Sequence, residues 1–151
     1  WVDVGSSFLP SDVVAAFLYA QLEFHERIQV KRKQVWDAYQ IGLEDWALAQ
    51  GVRLPVIPSH CEQSYHMFYI LMPSLYARQQ FIAHLGARNI LAVFHYLPLH
   101  LSVMGQRYGG RAGQCPVAED VSDRLVRLPF YNDLPIEDQC RVVEAVRDFR
   151  V

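Results

Sequence analysis

The chain has 151 residues, enough for one domain that buries about two-thirds or more of the surface its unfolded form exposes. Apolar residues make up 52% and charged residues 20%, with 8 Gly and 8 Pro, which excludes a disordered tail, a collagen-like repeat and a low-complexity linker. Lys plus Arg total 14 against 16 Asp plus Glu, a formal charge of -2, so no basic excess recommends nucleic acid or an anionic membrane as a partner.

Leu9-Pro10-Ser11-Asp12 is a helix entry signal, because Ser11 can cap the first free amides and Asp12 sets negative charge at the positive end of the helix dipole. Val14, Leu18 and Leu22 then form one stripe, and Val13, Phe17, Ala20 and Phe24 an adjoining one. A helix apolar over so much of its circumference is expected to be buried on nearly all sides. After Glu23 the pattern turns amphipathic, with Ile28, Val35, Tyr39, Leu43 and Trp46 at helical spacing among Lys31, Arg32, Lys33, Gln34, Asp37 and Gln40. A break is expected between residues 23 and 28, and a helix end before Gly51.

Arg53 to Ser59, with Pro55 and Pro58, predicts an extended connector. His66 to Leu71 is aromatic-rich and ended by Pro73, which predicts a strand. Ser74 next caps a helix with Phe81, Ile82 and Leu85 on one face, stopped by Gly86. Ile90 to Tyr96 predicts a second strand, closed by Pro98, and the glycine-rich run Gly105 to Gly113 a mobile loop. Val117, Val121 and Leu125 mark a short helix, and Val126 to Tyr131 a strand with Pro129 near its edge. Pro135, Glu137 and Asp138 open a last helix, with Ile136, Cys140 and Val143 expected to face inward. The sum is an α+β layout, a small antiparallel sheet covered by helices, with no internal repeat.

Cys61, Cys115 and Cys140 are odd in number and widely spaced, which fits neither a disulfide framework nor a C-x-x-C zinc site and points to a reducing compartment. The longest apolar stretches, Val13 to Ala20 and Ile90 to Leu99, are too short to cross a bilayer, and no basic-then-apolar leader opens the chain, so a cytoplasmic protein is expected. Trp1 stands where a Met would begin a chain, so a piece of a longer protein is expected.

Phe94-His95-Tyr96-Leu97-Pro98-Leu99-His100 gathers two histidines and a tyrosine where a strand runs into a Pro-fixed turn, a place where backbone holds side chains still against a ligand. The run reads either as a binding site for an anionic or polar substrate, or as His95 and Tyr96 alternating in and out of a sheet while His100 caps a turn. A metal would need a third ligand, and His60, Cys61 and His66 are not spaced to supply one, so no metal site is expected. Gly5-Ser6-Ser7-Phe8 either offers hydroxyls and amides to a phosphate or is a polar turn before a helix cap. Gly109-Gly110-Arg111 lacks the spacing of a phosphate-binding loop, and Lys31-Arg32-Lys33 is a solvated helix face.

Taken in order, G-S-S-F-L-P-S-D at 5 to 12, A-A-F-L-Y-A-Q-L-E at 15 to 23, H-M-F-Y-I at 66 to 70, F-H-Y-L-P-L-H at 94 to 100 and R-L-P-F-Y at 127 to 131 resemble the C-terminal part of sugar aminotransferases of the DegT/DnrJ/EryC1/StrS type. The resemblance runs over essentially the whole chain. It implies the C-terminal small domain of a fold-type I transferase that uses pyridoxal 5'-phosphate. Such an enzyme moves an amino group from glutamate to the 4-keto carbon of a dTDP-4-keto-6-deoxyhexose, of the kind built into cell-surface polysaccharides. It implies too a homodimeric parent whose cofactor-binding domain lies upstream of Trp1.

That chemistry needs a Schiff-base lysine and an acid that keeps the pyridinium nitrogen protonated. The chain offers only Lys31 and Lys33, both outside the serine-and-asparagine setting of the family's lysine, so no catalytic residue and no bound cofactor are expected in this piece. Where most of the family has Asn in a G-x-N-x-R stretch that reaches the cofactor phosphate, this chain has Ser7, with Leu9 in place of the Arg. His95, Tyr96 and His100 match the family's H-Y-x-P-L-H, which resembles a wall of the sugar-nucleotide pocket. The alternative is a free-standing α+β module for binding or dimerisation. If a partner domain is missing, Phe17, Tyr19 or Phe24 should line an exposed patch.

Overall fold

In the computed structural model, which describes residues 9–151, Ser11 caps helix α1 (Asp12–Glu23) by accepting the Val14 amide at 3.4 Å. The expected break falls at Phe24, and α2 (His25–Gln50) runs on to Gly51, whose φ of 65° ends it in the left-handed conformation that glycine takes without strain. The burial of α1 is not as expected. None of its residues is buried and Phe17 is 70% exposed, because no other described segment folds back over it.

The amphipathic half of α2 supplies one wall of the core through Val35, Trp36, Tyr39, Leu43 and Trp46, a stripe one turn apart. Two polar tips on this stripe are satisfied on distant backbone: Tyr39 donates from its hydroxyl to the Pro129 carbonyl at 2.8 Å, and Trp46 from Nε1 to Phe149 at 3.0 Å. Three short strands form the sheet: β1 (Tyr69–Leu71), β2 (Val93–Phe94) and β3 (Leu125–Arg127). Their order is β1-β3-β2 and both pairings are antiparallel, so Arg127 stands opposite Tyr69 on one side and Val93 on the other.

Each strand is shorter than its apolar run. Beyond Phe94 the chain turns at Tyr96, whose φ of 49° is incompatible with a strand, and Pro129 carries no N–H to continue the ladder past Leu128. Arg53 in the Pro-rich connector adds one antiparallel bridge to Leu71. Helices α3 (Leu75–Gly86), capped by Ser74, and α5 (Pro116–Arg124) pack on one another, and α6 (Ile136–Arg147) packs along α2. Gly42 permits that approach: a Cβ there would meet a Val143 methyl at 3.1 Å.

The inward face of α6 is Gln139, Val142, Ala145 and Val146, with Val143 half-buried against the core as expected, whereas Ile136 and Cys140 are exposed. Gln139 makes the difference by donating to the Val35 carbonyl at 2.6 Å, which rotates Ile136 out to 75% exposure and leaves Cys140 and Val143 on a groove between α2 and α6. Gly105 to Gly113 is not a loop throughout. A 3-10 turn (Leu99–Leu101) leads into helix α4 (Val103–Arg107), and Gly105 and Gly110 press so closely on the Leu99 and His100 carbonyls that a Cβ at either would overlap them. All three cysteines are free and exposed. No helix among the described residues is long and apolar enough to cross a membrane.

Candidate functional site

Strand β2 delivers His95 and Tyr96 to the sheet edge beside Arg127 of the central strand. The turn at Tyr96 is held by Ser122, whose hydroxyl donates to the Tyr96 carbonyl at 2.8 Å, so a residue of α5 fixes a non-glycine backbone in the left-handed region. The His95 and Tyr96 rings meet edge to face with centroids 5.0 Å apart, and the Arg127 guanidinium carbon lies 5.7 Å from the Tyr96 ring centroid. Burial, then the Arg127 charge, then His66 hold the His95 imidazole below its ordinary pKa of 6.5. His66 and Arg127, with Leu91, Val93 and Phe130, line an adjoining cavity of about 250 Å³.

His100 has a different setting. Its Nε2 donates to Glu119 Oε1 at 2.8 Å, and Glu119 also accepts the amides of Gly113 at 3.0 Å and Cys115 at 3.2 Å. The Gly113 amide first, then the His100 bond, holds the Glu119 carboxyl below its ordinary value. The structure therefore groups His95 and Tyr96 with Arg127 and His66, and commits His100 to tying the 3-10 turn to α5. Ser7 lies outside the described residues. Arg127 and His66 were not singled out by sequence as site residues. Their signal was present in the runs R-L-P-F-Y and H-M-F-Y-I, but only strand pairing shows that these runs share an edge with His95.

The two lysines are engaged elsewhere. Lys31 donates to Asp133 at 2.6 Å, and Lys33 to Asp37, which raises the Lys33 amine above its ordinary value. A Schiff-base lysine needs the opposite shift. Paired with carboxylates, Lys31 and Lys33 do not offer pyridoxal phosphate a Schiff-base amine. Among the described residues no group of three or more His, Cys, Asp or Glu is placed to hold a metal ion.

Residues 2–147 match the DegT/DnrJ/EryC1/StrS aminotransferase family. The chain is 30% identical over 139 residues to the dTDP-3-amino-3,4,6-trideoxy-alpha-D-glucose transaminase of Micromonospora megalomicea subsp. nigra, a match covering 91% of this chain and 36% of that protein. Among solved structures, the aminotransferase TlmJ from Streptoalloteichus hindustanus has a TM-score of 0.79 at 26% identity, covering 97% of this chain and 38% of that one. S. venezuelae DesV, solved in complex with a ketimine intermediate, has a TM-score of 0.79 at 29% identity, covering 89% of this chain and 35% of the other. The chain thus spans a little over a third of the length of these relatives.

Proposed function

Because the chain belongs to the DegT/DnrJ/EryC1/StrS aminotransferase family, we propose that it forms the C-terminal small domain of a larger pyridoxal-phosphate enzyme whose remaining, upstream domain supplies the Schiff-base lysine. Its architecture is a fragment of the fold-type I aminotransferase fold. The parent is a cytoplasmic homodimer that moves an amino group from glutamate to the 4-keto carbon of a dTDP-4-keto-6-deoxyhexose destined for a cell-surface polysaccharide. By itself the chain is inactive and binds no cofactor, and in the parent Ser7 contacts the cofactor phosphate. The observation that carries this reading is the family match over residues 2–147.

His95 and Tyr96 form part of the wall against which the sugar nucleotide rests, with Tyr96 presenting a ring that is 70% exposed. His100 contributes by positioning, through Glu119, the turn that follows this wall. The form G-S-S-F-L-P-S-D at 5 to 12 resembles that of dTDP-4-amino-4,6-dideoxygalactose transaminase, which supports amination at C4. A second reading, amination at C3, is favoured by the name of the Micromonospora relative. Product analysis of the full-length enzyme with a 3-keto and a 4-keto dTDP-sugar separates the two.

The wall itself is tested by His95→Ala in the full-length parent. Loss of one charge-assisted hydrogen bond, worth about 1.5 to 3 kcal/mol, should slow the sugar half-reaction by roughly 10- to 100-fold. The half-reaction with glutamate should remain intact. Single-turnover kinetics of each half, with thermal melts alongside, check this; equal losses in both halves with a lowered melt would mark His95 as structural.

A further inference from the structure

We infer that Arg127, with His66 and His95, forms an oxyanion pocket at the β2–β3 edge, taking a phosphate or carboxylate group. Three observations carry it, the first two geometric and the third in keeping with them. The Arg127 Nε is shielded from solvent without a hydrogen-bond partner, and among the described residues its guanidinium lies over the Tyr96 ring without a hydrogen bond or ion pair. Arg32, Arg78 and Arg124 also have an unpartnered Nε, but Arg78 and Arg124 are bonded through their other guanidinium nitrogens, to Ser122 and to Met72 and Asp120, and Arg32 lines a groove that holds the Asp133 carboxylate and no second orphaned nitrogen. A guanidinium engaged by nothing but an aromatic face keeps its fork of N–H donors free for a ligand.

The second observation lies beside the first. His95 Nδ1 is likewise buried and without a partner, so two orphaned polar groups meet at one edge, and each costs stability until something bonds it. The third is charge. The groups acting on His95 are Arg127 from β3 and His66 from the segment before β1, both of which lower its affinity for a proton, and no carboxylate offsets them. An anion in the cavity that His66 and Arg127 line would reverse that balance. The Arg127 backbone is fixed, since both sides of its strand are paired, and a guanidinium fork recognises oxyanions bidentately.

The pocket stands on these observations alone; only the source of its oxyanion rests on the substrate wall proposed above. The test is a proton NMR titration of the His95 ring in the 151-residue chain, with inorganic phosphate or glutamate added against chloride at equal ionic strength. Either anion should raise the His95 midpoint saturably. Arg127→Gln should abolish the shift, and Arg127→Lys, which keeps charge but loses the fork, should weaken binding by about tenfold. A response to phosphate identifies a phosphate source. A response to glutamate alone keeps the pocket but moves the wall from the sugar to the amino donor, against the function proposed above. No shift with either anion overturns the pocket, and so does an Arg127→Lys chain that binds as the parent does. That second variant also serves if Arg127→Gln fails to fold.

Discussion

Glu119 shows how much one side chain can hold. Its carboxylate gathers the Gly113 and Cys115 amides and the His100 imidazole, joining the 3-10 turn, the glycine segment and α5. Because folding holds this carboxyl below its ordinary value of 4.5, its contribution is fully present above about that pH and is lost as pH falls through the lower, folded value. Glu119→Gln should therefore lower the melting temperature at neutral pH and flatten its decline on the acid side. Melts at stepped pH check both, and an unchanged acid limb would refute the assignment. His100 was legible as a site residue only through its motif; the acid that engages it lies in another helix, and no local spacing predicts that meeting. His95 and Tyr96 were visible for a local reason, a strand running into Pro98, whereas Arg127 becomes their neighbour only through the register that sets Val93 opposite it.

At the scale of elements, helix starts were the most legible features, because caps are local: Ser11 and Ser74 each accept the amide three residues on. Strand lengths and the inner face of α6 were not, since apolar runs outlast their pairing and a buried Gln139 outweighed Ile136. The glycines divide the same way. Gly105→Ala or Gly110→Ala should destabilise by about 1 to 3 kcal/mol, since the new methyl meets fixed backbone carbonyls. Gly86→Ala, at the end of α3 with open space around it, should stabilise by about 0.4 to 1 kcal/mol by restricting the unfolded chain. Denaturant melts of the three variants rank them, and equal effects would show that the glycine segment is loose after all.

For the molecule as a whole, the chain divides into a cored part and α1, which contributes nothing to that core and exposes Val13, Phe17, Leu18, Tyr19 and Leu22 together. On the function proposed above, the remaining chain of a longer parent covers this face, in keeping with relatives more than twice as long. Alone, the 151-residue chain should self-associate or bind a hydrophobic dye. Phe17→Glu should suppress this while changing stability by no more than about 0.5 kcal/mol, the range of an uncoupled surface site. Sedimentation with dye titration checks this, and a strict monomer that binds no dye favours a self-sufficient module. The Ser11 cap and the helical spacing of apolar residues predict the helix and its apolar girth, but only tertiary packing decides which side is covered.

The strand order carries a consequence for how the chain is made. β1 and β2 precede β3 in synthesis, yet neither pairs with the other; every ladder bond of the sheet awaits Leu125–Arg127. The partners that close α2, Gln139 and the Phe149 carbonyl, come later still. A nascent chain leaving the ribosome therefore carries two strands without their sheet partner and an open aromatic stripe until residues 125–149 emerge, and is most exposed to wrong association before they do.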